Sequence, residues 1–278
     1  MIDEVIIQRH GRTSFNLARR LQGQVDIPLD IVGQWQADHS AYALAARLYW
    51  AKVANIARHP DLLPQSDDPE VRRSDIEEYR LAPASDRTLD IVCSDLFRAR
   101  QTAHATADIL GLPVRLDPRL RERSFGQWEG MTREEIRERY PQGFASWTAH
   151  EGGETDYGVE TRQAVGERGA RAIESLVVEA RETPGHGTLL VVSHGSWTVA
   201  TVATLLGMDV DDLSTLGAMR NAFWCTLHVS EHDDGFQWLL DEYNQGPALA
   251  STVDWENGPD TLHNPAMGSW KAVKGAKA

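Results

Sequence analysis

The chain has 278 residues, 41% of them hydrophobic, and its 28 lysines and arginines stand against 41 aspartates and glutamates for a formal net charge of -13. That length and apolar content support one large α/β domain, and the acidic balance opposes non-specific attraction to nucleic acid or to anionic membranes. No run approaches the ~20 apolar residues that span a bilayer, and the amino terminus enters a strand by Val5 without the basic and apolar segments of a signal peptide, so the expected location is cytoplasmic.

The first predicted strand covers 5–8 and stops abruptly at Arg9-His10-Gly11, the mark of a strand's carboxyl end. A long helix follows at 34–57. The stretch 59–88 is rich in Pro, Asp, Glu and Arg and reads as an insertion with a short helix at 74–80. A solvated loop, a lid and a subunit contact are its alternatives. A strand at 91–94 leads into a helix at 98–110, closed by Gly111 and Pro113. A short strand at 114–116 and helices at 133–139 and 158–180 come next. The aliphatic run 189–193 then ends in His194-Gly195 before a helix at 196–206. Strands at 222–230 and 236–243 flank Asp233-Asp234-Gly235, a hairpin signal.

Strands alternating with helices imply a three-layer α/β/α sandwich around a mixed, mostly parallel sheet. The expected organisation is a single domain over 1–250, with the insertion at about 59–88 and a tail over 251–278 that wraps the surface before a basic end. Cys93 and Cys225 sit in apolar strand contexts and read as reduced core residues.

Two imidazoles delivered to one sheet edge, one beside an arginine, suggest chemistry on an anion, because ligands bind at the carboxyl ends of strands in open α/β sheets. After Arg9-His10-Gly11 come Arg12, Asn16 and Gln22-Gly23, which supply polar groups and amides suited to phosphate oxygens. Ser94-Asp95-Leu96 precedes Arg98, and Glu122 precedes Gly126. No close-spaced set of His or Cys points to a metal, and no cofactor is expected.

These elements, in this order over roughly 5–244, resemble the histidine phosphatase superfamily, with its phosphoglycerate mutase-like fold. The resemblance implies a metal-independent phosphomonoesterase acting on a small sugar phosphate or phosphoglycerate. His10 would be the nucleophile that forms phosphohistidine, and Arg9, Arg98 and a charged His194 would neutralise the phosphoryl oxygens. Asn16, Gln22, Gly23 and Gly195 would bind substrate, and Glu122 would be the general acid and base, with Glu129 and Glu135 as rival carboxylates. Leu21-Gln22-Gly23-Gln24, Asn221-Ala222 and Trp238 also resemble actinobacterial phosphatases that act on glucosyl-3-phosphoglycerate.

The chain departs from many relatives at Arg12, where they carry glutamate. Arg12 would either hold a second anionic group of the substrate or point to solvent, and Asn221 would either contact substrate or serve a turn. A phosphoglycerate mutase and a non-catalytic phospholigand-binding protein are the competing functions. The expected partner is a small-molecule phosphomonoester, with no nucleic acid and no membrane, and a homodimer is left open.

Overall fold

The structure, a computed structural model, describes residues 1–48, 88–180, 187–212, 216–233 and 235–263. The predicted excursion at 59–88 lies outside these residues except for Thr88, as do positions 49–57 of the first long helix and everything after 263.

Among the described residues, six strands form one sheet: β1 (Ile2–Arg9), β2 (Thr88–Cys93), β3 (Arg115–Leu116), β4 (Gly187–Ser193), β5 (Trp224–His232) and β6 (Gly235–Gln245), in the order β3-β2-β4-β1-β5-β6. Strands β3, β2, β4 and β1 run parallel to one another, whereas β5 runs antiparallel to β1 and pairs with β6 as the predicted hairpin. The sheet is therefore mixed and mostly parallel, as the alternation of elements implied.

Both faces of the central strands are covered, which is why their sequences are continuously aliphatic rather than alternating. Ile6, Ile91, Leu190 and Val192 pack with residues of α2 (Ile31–Arg47) and α3 (Phe97–Leu110) on one side. Val5, Ile7, Val92, Leu189 and Val191 face the other way, against α6 (Arg162–Glu179) and α7 (Gly195–Leu205). Successive side chains of a strand point to opposite faces, so each central strand supplies both cores.

Three shorter helices complete the described chain: α1 (Ser14–Leu17), α4 (Arg133–Arg139) and α5 (Pro141–Ala149). With the turns around them, α4 and α5 build a cap beside the sheet edge, held by Phe125, Trp128, Ile136, Trp147 and Val159. Trp128 anchors it, with the rings of Trp147 at 5.5 Å and Tyr157 at 5.4 Å. No described helix is long and apolar enough to cross a membrane.

The start of the predicted tail runs along the surface but is anchored in the core at Trp255. Trp255 is 1% exposed within the core cluster that contains β1 and β4, 5.0 Å from the Trp35 ring, and its carbonyl accepts from Gln36 Nε2. Residues 251–263 thus belong to the folded body. An isolated tryptophan in a polar, Gly- and Pro-bearing stretch carries enough apolar area to dock a segment that shows no periodicity of its own.

Candidate active site

The pairing of β1 with β4 sets Arg9 opposite Ser193, so the segments that follow them emerge side by side at the carboxyl edge. The His10 N–H donates to the Ser193 carbonyl at 3.0 Å, and the rings of His10 and His194 lie edge to face at 5.2 Å. On the other flank of β4, the end of β2 supplies Ser94, whose hydroxyl contacts His194 Nε2 at 2.9 Å. One strand order therefore places His194 between Ser94 and His10.

His10 Nδ1 lies 2.6 Å from the Gly11 carbonyl. A carbonyl can only accept, so Nδ1 carries the hydrogen and Nε2 keeps its lone pair. Burial, and after it Arg98 and Arg9, holds the His10 pKa well below 6.5, so the ring is neutral at physiological pH. His194 is shifted the same way by burial, Arg98, His10 and Arg9. The charged His194 expected from the sequence is thus corrected: two arginines and a second imidazole disfavour a further cation in the buried pocket.

The arginines are aimed by carbonyls. Arg98, fully buried at the start of α3, donates from Nη1 to Val25 O at 2.8 Å and from Nη2 to Gly23 O at 2.7 Å. Burial lowers its pKa to about 10, with Glu122 opposing, so it stays charged at neutral pH. Arg9 donates to the Met219 carbonyl. The Nε atoms of both arginines and Nδ1 of His194 are buried with no protein partner among the described residues. Asn16 Oδ1 faces Thr13 N and Asn221 Nδ2, and Gln22 Oε1 faces the Thr13 hydroxyl, so each amide has its NH2 end left for the cleft.

Glu122 accepts three backbone N–H groups: Arg123 at 2.8 Å, Ser196 at 3.1 Å and Trp197 at 2.8 Å, the last two in the first turn of α7. The rival carboxylates are engaged elsewhere. Glu129 accepts from the backbone of Gln24 and Phe125, while Glu135 caps α4 with Thr132 and pairs with Arg20. Among the described residues, Glu122 is the one carboxylate lining the cleft, and no three His, Cys, Asp or Glu side chains gather as a ligand set for a metal.

The cleft is about 420 Å³ and brings together Arg9, His10, Asn16, Gln22, Gly23, Arg98, Glu122 and Gly195. His194 lies one layer behind His10 and does not line it. Arg12 does not reach it either: the guanidinium pairs with Asp30 at 2.8 Å and donates to the Glu256 carbonyl at 2.6 Å. Neither rim nor solvent describes it. Asn221 also sits behind the cleft, donating to the His10 carbonyl at 3.1 Å and to Asn16. Both residues position the loop that bears His10. Arg20 after α1, Arg133 and Trp147 of the cap and Arg162 of α6 also line it, and sequence reasoning missed them.

Gly11 and Gly33 explain how tightly that loop is held. A Cβ at Gly11 would stand 2.3 Å from the Gly33 carbonyl oxygen, and one at Gly33 only 1.9 Å from the Arg12 carbonyl oxygen. Backbone meets backbone, so neither side can yield. Gly33→Ala is expected to cost about 1–3 kcal/mol and to lower the thermal midpoint by roughly 2–4 °C per kcal/mol. Circular dichroism melting checks this, and an unchanged midpoint would contradict the packing.

The two buried imidazoles also set a pH dependence. In the unfolded chain each binds a proton near pH 6.5, whereas in the folded chain each stays neutral to well below that value. Acidification from pH 7 to 5.5 therefore favours unfolding, by up to about 1.4 kcal/mol per pH unit per histidine, and the contribution is flat above pH 7. Urea midpoints across pH 5.5–8 measure it. His194→Gln should flatten the acid limb, and an equally steep limb in that variant would rule His194 out as a source.

A model of the histidine phosphatase superfamily, branch 1, matches residues 5–54 and 79–244, leaving out positions inside the predicted insertion. A glucosyl-3-phosphoglycerate phosphatase of Mycolicibacterium vanbaalenii is 30% identical, over 91% of this chain and 99% of its own. A probable phosphoglycerate mutase of Yersinia enterocolitica is 32% identical, over 94% of each chain. The solved structure of a mycobacterial glucosyl-3-phosphoglycerate phosphatase with VO3 superposes with a TM-score of 0.62 at 29% identity, covering 88% of this chain and 100% of that one. With the motif residues converging on one sheet edge and the family match spanning most of the sequence, the chain belongs to the histidine phosphatase superfamily, branch 1.

Proposed function

We propose that this protein is a phosphoric monoester hydrolase acting on a small phosphorylated metabolite, of the sugar phosphate or phosphoglycerate type, through a phosphohistidine at His10. The observation that carries the reading is a neutral imidazole with its Nδ1 tied to Gly11 O, in a cleft that also holds Arg9, Arg98 and the carboxylate of Glu122. His10 Nε2 attacks phosphorus, the ester P–O bond breaks, and Glu122 gives its proton to the leaving oxygen. A water then attacks the phosphoryl group, passes its proton to Glu122, and the P–N bond breaks to release phosphate. Arg9 and Arg98 stabilise charge on the transferring oxygens, the largest expected contribution, while His194 backs the His10 ring from behind.

The relatives named above support a phosphoglycerate-like substrate, and one of them keeps a mutase as the second reading. In a mutase the same phosphohistidine returns its group to a bound product instead of to water. The deciding experiment is a phosphate-release screen over sugar phosphates, phosphoglycerates, nucleotides and phosphopeptides, with isomer formation followed in parallel. We expect phosphate release unaffected by EDTA. Isomer formation with negligible release would favour the mutase, and tight binding without turnover would favour a phospholigand-binding protein. The same reading takes 1–250 as one catalytic domain, extended by its docked carboxyl-terminal segment, and places it in the cytoplasm.

A further inference from the structure

Among the described residues, six arginines line the cleft against a single carboxylate, in a chain whose overall charge is -13. Four of them have evident work. Half-buried Arg9 and buried Arg98 form the floor, Arg20 pairs with Glu135 at 2.7 Å, and Arg123 pairs with Glu154 at 3.2 Å. Arg133 and Arg162 differ, since among the described residues neither meets a carboxylate.

Their placement is also unfavourable in itself. Arg133 is the first residue of α4 and Arg162 the first of α6, each just after a threonine cap. The amino-terminal turn of a helix carries partial positive charge and favours acidic residues, so an arginine there opposes the local field. Both are fastened by the end of α5. The Arg133 guanidinium lies over the Trp147 ring at 4.9 Å, and Arg162 Nη1 donates to His150 Nδ1 at 3.2 Å. Trp147 lies in the last turn of α5 and His150 is its carboxyl-terminal cap, with φ +57°, so both fastenings come from the end of one short helix, and both arginines line the cleft.

We propose that Arg133 and Arg162 form a second anion subsite at the mouth of the cleft, which selects phosphomonoesters carrying another negative group, a carboxylate or a second phosphate, away from the scissile ester. This rests on the phosphatase reading for the role of the floor. A phosphoryl group on Arg9 and Arg98 leaves the rim charge of Arg133 and Arg162 unanswered, and forked guanidinium donors suit carboxylates and phosphates alike. Between floor and rim, Leu21, Phe125, Val199 and Met219 give the wall an apolar character that suits the body of a metabolite.

The test compares 3-phosphoglycerate with glycerol 3-phosphate, which has the same carbon count but a hydroxymethyl group in place of the carboxylate. A second arm compares fructose 1,6-bisphosphate with fructose 6-phosphate, and so separates a phosphate-selective rim from a carboxylate-selective one. Wild type is expected to favour the doubly anionic member of at least one pair by about 10- to 100-fold in kcat/KM. Arg133→Gln/Arg162→Gln should erase that preference through KM while changing kcat/KM for glycerol 3-phosphate less than about 3-fold. Arg133→Lys/Arg162→Lys should restore part of it. Equal losses on both members of each pair, or no preference in wild type, would overturn the subsite while leaving the phosphatase intact. Titration calorimetry with the same pairs reads the subsite without turnover, so the absence of any hydrolysis would count against the phosphatase alone.

Discussion

His10→Ala is expected to lower phosphate release on the order of 10⁴- to 10⁶-fold, the scale seen when a covalent nucleophile is removed. No other described side chain in the cleft combines a free lone pair with enforced neutrality: His194 lies behind the lining and Glu122 is occupied by three backbone N–H groups. The arginines that depress the His10 pKa would also hold the incoming phosphate, so one arrangement keeps the nucleophile unprotonated and draws in its substrate. Brief incubation with labelled substrate followed by denaturation should trap an acid-labile phosphoryl group on wild type and none on the variant. The ring is 2% exposed, so its removal leaves a small buried gap. A melting curve then separates lost chemistry from lost structure. Retained label or activity in a folded His10→Ala protein would sink the assignment.

The floor of the cleft was legible in the sequence because strand ends are local signals. An aliphatic run broken by Arg-His-Gly names both the strand and its edge, and adjacent parallel pairing of β1 and β4 brings two such ends together. The chain direction beyond those ends was not legible. Arg12 lies two residues past His10, yet the backbone packing of Gly11 on α2 turns its guanidinium to Asp30 and to the carboxyl-terminal segment. Asn221 lies in the turn before β5, which begins at Trp224 rather than at 222, and its amide is directed to the His10 carbonyl rather than to the cleft.

The rim was hidden for a different reason. Arg133 and Arg162 are brought to the cleft only by the fold of the cap, the one over the Trp147 ring and the other against His150, which no periodicity encodes. The helix α5 that fastens both was missed altogether, although Pro141 at its first turn marks a helix start. The one local hint was the repeated Thr-Arg, a good cap followed by a cation where helices prefer an anion. Similarly, α2 begins at Ile31 rather than at 34, because the Asp30 carboxylate caps the Gly33 N–H. The helix predicted from 158 begins at Arg162, since Gly158 has φ +76° and Thr161 supplies the cap.

Glu122→Gln should reduce turnover of an alkyl phosphate by about 10²- to 10⁴-fold, the usual worth of positioned acid–base help, and the pattern across substrates should say more than the size. An alkoxide leaves only if it is protonated, so the variant stalls in the first step with sugar phosphates or phosphoglycerates. A nitrophenolate leaves without a proton. With p-nitrophenyl phosphate the variant should therefore transfer the phosphoryl group to His10 quickly and then stall, because no carboxylate remains to take a proton from the attacking water. Stopped-flow absorbance should show a burst of nitrophenolate equal to the enzyme concentration, followed by slow turnover, and the acid-labile label should accumulate. The substitution has a structural cost as well. Glu122 Oε1 and Oε2 each accept backbone N–H groups, so the new amide NH2 must face a donor from Arg123, Ser196 or Trp197, costing about 1–3 kcal/mol. A lowered melting midpoint with a clear burst fits both consequences. Equal losses on alkyl and nitrophenyl esters, with no burst, would instead make Glu122 an anchor for α7 and leave the proton transfers to another group.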